Sequence, residues 1–174
     1  MPLPIGHTAL GLVAYEMSNP PQRATDRFKT FALITILANL PDMDVVVGLI
    51  LQGNGAYYHR GPTHSLLFAI LSGYLASRAW RLGRLIPRCS FSLGFMLVFS
   101  HILGDMLFTS APVSLFWPLE LNWSGGYDTW SDVIHSVLFR GGHDLWIVAA
   151  GVLAIAGIRF GRSQIQRRKA APHT

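Results

Sequence analysis

The stretch from Phe91 to Phe108 is apolar except for Ser92, Ser100, His101 and Asp105, and it contains no lysine or arginine. A run of this length suits a bilayer crossing, and it has no use on the surface of a soluble protein. Three further apolar stretches have similar weight: Phe31–Leu51, Thr63–Trp80 and Leu145–Phe160. Charged residues make up only 13% of the 174 residues, against roughly 25% in soluble domains, and mean hydropathy is +0.36. There is too little polar surface to wrap a water-soluble globule. The expected fold class is therefore all-α, an integral membrane helical bundle with about four hydrophobic spans. A short helix over His7–Met17, closed by Asn19-Pro20-Pro21, precedes them and is too short to cross by itself. Pro41 falls inside the first span and predicts two half-helices joined at Asn39-Leu40-Pro41-Asp42, because proline has no N–H for the helical ladder. Residues 1–160 are expected to form one membrane-embedded domain and residues 161–174 a basic tail.

The net charge of +5 carries topology. Arg23, Arg27 and Lys29 lie before the first span, and Arg78, Arg81, Arg84 and Arg88 between the second and third. Arg159, Arg162, Arg167, Arg168 and Lys169 close the chain. These twelve alternate with the spans so as to fall on one side, leaving Arg60 and Arg140 on the other. Lysine and arginine excess marks the cytoplasmic face, so a multi-pass protein of the bacterial inner membrane with a cytoplasmic C-terminus is expected. No nucleic-acid partner is expected from a basic charge distributed in this way. Residues 1–11 lack the basic and apolar regions of a cleaved signal peptide, so a later hydrophobic segment must target the chain. The long segment Thr109–Gly142 lies outside and holds Trp117, Trp123 and Trp130, rings that favour the membrane interface. The single cysteine, Cys89, excludes an internal disulfide and a cysteine-rich zinc site.

Four polar motifs interrupt this apolar chain. Asp42 and Asp44 sit in the first span, where each carboxylate costs about 2.5–3.5 kcal/mol on insertion scales. Helix capping accounts for one of them, whereas a divalent cation accounts for both. His59-Arg60-Gly61-Pro62-Thr63-His64-Ser65 places two histidines on either side of a Gly-Pro turn that opens a helix. Arg60 there has the geometry to meet a phosphate or carboxylate. His101 and Asp105 are spaced i, i+4 and share one helix face, as paired zinc ligands do. His7 opens the short first helix. With spans one to three running out, in and out, all four motifs reach the same outer depth. Glu16 reads as the interfacial end of its helix. Asp128, Asp132 and Glu120 read as solvated, and His135, His143 and Asp144 as accessory ligands at most. His173 lies in the tail.

Taken together these motifs resemble the bacterial membrane-bound, metal-dependent hydrolases of the YdjM type, whose founding member is described as LexA-regulated and inner-membrane associated. The resemblance rests on Gly6-His7-Thr8-Ala9, Pro41-Asp42-Met43-Asp44, the His59–Ser65 heptapeptide and His101 with Asp105, and it covers roughly residues 6–108. In motif order that family is similar to the all-helical zinc phospholipase C and nuclease fold, which implies a phosphoester or phospholipid-type substrate. The chain has fewer histidines than a three-zinc site needs. One or two divalent ions, zinc by the His/Asp donor mix, are expected on His7, Asp42, Asp44, His59, His64, His101 and Asp105. Asp44 is the candidate general base, and Arg60 the group that stabilises charge on the substrate. Membrane lipid is the expected partner. Two other readings remain open: an ion-coupled transporter, since broken helices with carboxylates also build ion sites, and a non-catalytic scaffold whose polar cluster locks helix packing.

Overall fold

The computed structural model describes residues 2–18, 27–109, 111–121 and 127–170. Arg23, Trp123 and His173 lie outside them. All regular structure among these residues is helical: α1 (Pro4–Met17), α2 (Arg27–Ala38), α3 (Met43–Gln52), α4 (Leu66–Ala79), α5 (Phe91–Phe108), α6 (Trp130–Phe139) and α7 (Gly142–Ala170), with 3₁₀ turns at Pro62–His64 and Trp80–Leu82. The all-α membrane class holds. The count of about four spans is high. Among the described residues only α5 and α7 are long and apolar enough to cross alone, and α2 with α3 makes a third crossing if the pair, bent by 57°, counts as one span. The expected Thr63–Trp80 span fails on length. Pro62 and the Ser65 cap start the α-helix only at Leu66, and fourteen residues rise about 21 Å, short of a roughly 30 Å hydrocarbon core.

Local chemistry sets the helix ends. Pro4 opens α1 with its fixed φ. The hydroxyls of Ser65 and Ser90 accept from the amides of Phe68 and Leu93 and start α4 and α5. The α2–α3 break occurs at the expected residues, and tight turn bonds from Met43 and Asp44 to the carbonyls of Leu40 and Pro41 carry the chain round it. Two elements differ from expectation. Thr129 and Asp132 form a reciprocal capping box that starts α6 inside the long outer segment. α7 continues through residue 170, past the point where the tail was expected to begin.

α5 is the central helix and packs against α4, α1 and α2. The core around it consists of Ala14, Ile34, Leu37, Ala69, Ala76, Leu97, Val98 and Ile102. Gly104 lets α1 approach closely, since a Cβ there would sit 2.5 Å from Leu10 Cδ1 and 3.5 Å from His7 Nδ1. α7 packs along α1 and is tied to it at both ends. Asp144 accepts from the amides of Leu3 (2.8 Å) and Gly6 (2.7 Å). Glu16 pairs with Arg159 (3.1 Å from Nε) and Arg162 (3.5 Å). The two helices therefore run parallel, and Glu16 is a tie between helices rather than only an interfacial end. The start of α1, the α2–α3 break, the His59–His64 turn and the second half of α5 all meet at one end of the bundle.

Candidate metal centre

The four motifs form a single cluster. His7, His59, His64, His101 and Asp105 are fully buried, and Asp44 and Arg60 nearly so. Nε2 of His64 lies 3.2 Å from Nε2 of His101, and Asp42 Oδ1 is 3.3 Å from the latter and 3.7 Å from the former. Ligands about 2.0–2.2 Å from one ion, at the tetrahedral angle, lie about 3.3–3.6 Å apart. Asp105 completes the set, with Oδ2 3.5 Å from His64 Nε2 and Oδ1 3.5 Å from His7 Nε2. The rings of His7 and His101 stack at 3.6 Å.

Hydrogen bonding fixes the tautomers. Nδ1 of His101 lies 2.8 Å from the carbonyl of Ala38. A carbonyl only accepts, so the proton is on Nδ1. Nδ1 of His64 faces Asp44 Oδ2 at 3.2 Å and Thr63 Oγ1 at 3.1 Å, while the Thr63 hydroxyl donates to Asp44 at 2.5 Å. The His64 proton is therefore also on Nδ1. In the neutral rings both Nε2 lone pairs point at each other and at Asp42 Oδ1. A metal ion among these three electron-rich atoms, or a proton shared between the two rings, relieves their repulsion.

Unpartnered atoms give the same answer. Among the described residues, nine buried side-chain polar atoms have no hydrogen-bond partner. Five of them belong to this cluster: both ring nitrogens of His7, Asp42 Oδ1, His59 Nε2 and Asp105 Oδ1. An orphaned buried polar atom costs about 1–3 kcal/mol, and five together mark a place built for something else to bind. The donors fit a divalent ion. Three sets of residues approach closely enough to hold one: His7/His101/Asp105, Asp42/His64/His101 and Asp44/His59/His64. His101 offers only Nε2, so the first two sets compete for it.

Asp44 is occupied differently from Asp42. It accepts from His59 Nδ1 (3.0 Å), the Arg60 amide (3.2 Å) and Thr63, besides facing His64. Arg60 takes a left-handed φ of 64°, unusual for a side chain of its size. That turn buries the guanidinium, with Nε 3.2 Å from Asp105 Oδ2. Asp144, expected at most as an accessory ligand, is committed to the start of α1. The missing signal was there in Leu3, which cannot cap the helix that follows it and leaves the amides to a distant acceptor. His135 and His143 stand outside the cluster and line an open cavity of 430 Å³ beside it, together with Arg60, Tyr127, Ser136 and Arg140. No motif flagged the last three as neighbours of the site.

The chain matches the family model described as YdjM inner membrane protein over residues 1–167. It is a member of the YdjM family. Membership makes it an inner-membrane protein, in keeping with the apolar helices α5 and α7. The match extends past the motifs that carry the resemblance, into α6 and α7. No curated protein and no solved structure gives a significant match.

Proposed function

We propose that this YdjM-family protein is a metal-dependent hydrolase acting on a phosphoester or phospholipid-type substrate at the outer side of the inner membrane. The observation that carries the reading is the convergence of the Nε2 atoms of His64 and His101 on Asp42 Oδ1. His64, His101, Asp42 and Asp105 would hold one ion, zinc by donor type. A second ion would need His7 with Asp105 shared between the two. When bound, such an ion supplies Lewis acidity and lowers the pKa of a coordinated water toward neutrality. Asp44, taken up by hydrogen-bond donors, acts here as the carboxylate that fixes the His59 and His64 rings rather than as the base. His59 Nε2, buried without a partner, is the better proton acceptor. Arg60 neutralises Asp105 and lines the adjoining cavity, which suits it to oppose charge on a substrate.

Five of the nine unpartnered buried polar atoms among the described residues fall in this one cluster, a concentration that favours a ligand-binding centre over a scaffold. The basic residues at the far end of the bundle support a cytoplasmic C-terminus. A reporter fused after Thr174 is expected to be active only in its cytoplasmic form. The function itself is tested on purified full-length protein by metal quantification together with hydrolysis of bis(p-nitrophenyl) phosphate and of phosphatidylglycerol. About one zinc per chain and zinc-dependent turnover are expected. Absence of bound metal after growth in zinc would overturn the reading.

A further inference from the structure

Beside the open cavity lies a second one of a different character. It is a 220 Å³ groove lined by Met43, Val45 and Val46 of α3 and Val133 and Val137 of α6, and Asp42 forms part of its wall. The two cavities share Leu3 and Tyr127. Tyr127 thus divides them. Its backbone is seated on Gly55, where a Cβ would lie 2.5 Å from the Tyr127 carbonyl oxygen.

α6 forms a wall of both cavities. At 100° per residue, Asp132, Ser136 and Arg140 share the face that lines the open cavity, and Val133 and Val137 occupy the adjacent face, in the groove. The third face carries Trp130, Ile134 and Leu138, all more than half exposed. A short helix with one apolar outward face is suited to lie in the membrane interface. α3 likewise exposes Met43, Ile50 and Leu51, so both helices that wall the groove present apolar side chains outward.

The open cavity contains Arg60 and Arg140 with His135 and His143, opposed by Asp128 and Asp132. Asp132 is bonded to the Thr129 amide and hydroxyl and Arg60 to Asp105, which leaves the Arg140 side chain and the two imidazoles as the donors there with no hydrogen bond among the described residues. A phosphate there would face Arg140 and the two imidazoles, within reach of the metal cluster through Arg60. An apolar chain attached to it would pass Tyr127 into the valine groove. We infer that the two cavities form one binding site for a glycerophospholipid of the surrounding bilayer, entering sideways between α3 and α6 with its headgroup at Arg140 and an acyl chain along Val133 and Val137. This rests on the proposed hydrolase only for what happens afterwards. Binding itself needs no turnover.

The test uses the purified full-length chain in dodecyl maltoside micelles, as purified and after chelation, with bound lipid read by native mass spectrometry. Dioleoyl phosphatidic acid is expected to be retained about tenfold more tightly than dioleoylglycerol, a difference of about 1.4 kcal/mol. Val133→Trp, which fills the groove, and Arg140→Ala are each expected to remove most of that preference. Neither changes a cluster residue, so zinc content and helical spectrum should stay as in the parent and report that the fold is intact. Equal retention of the two lipids, or a preference untouched by both variants, overturns the inference. Tighter retention of undecaprenyl phosphate than of phosphatidic acid overturns the assignment to a glycerophospholipid. Lipid retention without turnover would sink the hydrolase reading and leave this one standing.

Discussion

α1 carries buried polar contacts at both ends, and the two kinds of contact differ. At its ties to α7, every partner is supplied by the chain. Asp144 takes two amides that the start of the helix leaves open, and Glu16 takes two arginines. One turn further along, His7 has two ring nitrogens with no hydrogen bond, and its neighbours Asp42, His59 and Asp105 each leave an atom unmatched. Both regions set charged groups against an apolar bundle, yet only one closes its own hydrogen bonds. Completeness, rather than the presence of His or Asp, separates a structural tie from a ligand site, because the low-dielectric interior makes an unmade bond costly.

The comparison fails most visibly if the cluster binds nothing. His64→Ala and Asp42→Asn are each expected to lose nearly all bound metal while keeping the helical spectrum, read by metal analysis and circular dichroism. Unchanged occupancy in either variant would place that residue among the structural ties. A smaller effect is expected at Asp44, which orients ligands. Asp44→Asn should weaken metal affinity about 10–100-fold, the usual cost of removing an orienting carboxylate, and complete loss would make Asp44 a ligand itself.

On the structural side, Asp144→Ala is expected to lower stability by about 2–4 kcal/mol, since two amides lose a charged acceptor. Its zinc content should match the parent, and a drop would draw Asp144 into the centre. Glu16→Gln should cost less than about 1 kcal/mol, because Arg159 is largely exposed and such pairs are screened. The smallest effect concerns Cys89, which lies apart from both regions. Burial pushes its thiol up to about 11, so the reactive thiolate is scarce at pH 8 and grows as pH rises toward that value. Maleimide labelling of the folded protein is expected to be slow at pH 8, and zinc content should not change on Cys89→Ser.

Much of the site was legible in the sequence because charges in apolar stretches are costly enough to be informative singly. Asp42, His64, His101 and Asp105 stood out on that ground. The length of the second span was misjudged because hydropathy does not register that Pro62 and Ser65 delay the helix. α6 was missed because ten residues with a mixed pattern give a weak periodic signal, although Thr129 and Asp132 held a capping box in plain view. The division of labour between Asp42 and Asp44 was invisible, since two carboxylates one residue apart look alike until their neighbours are placed.

By itself, then, the sequence determined the membrane class, the break at Pro41 and the residue types able to hold a metal. These follow from local chemistry and from the cost of placing charge in hydrocarbon. Only the tertiary structure decided which ring nitrogens face the cluster, which carboxylate is already satisfied and where a second, apolar cavity meets the first. Those properties depend on contacts between residues tens of positions apart, from Ala38 to His101 and from Leu3 to Asp144, and no pattern along the chain encodes which donor meets which acceptor.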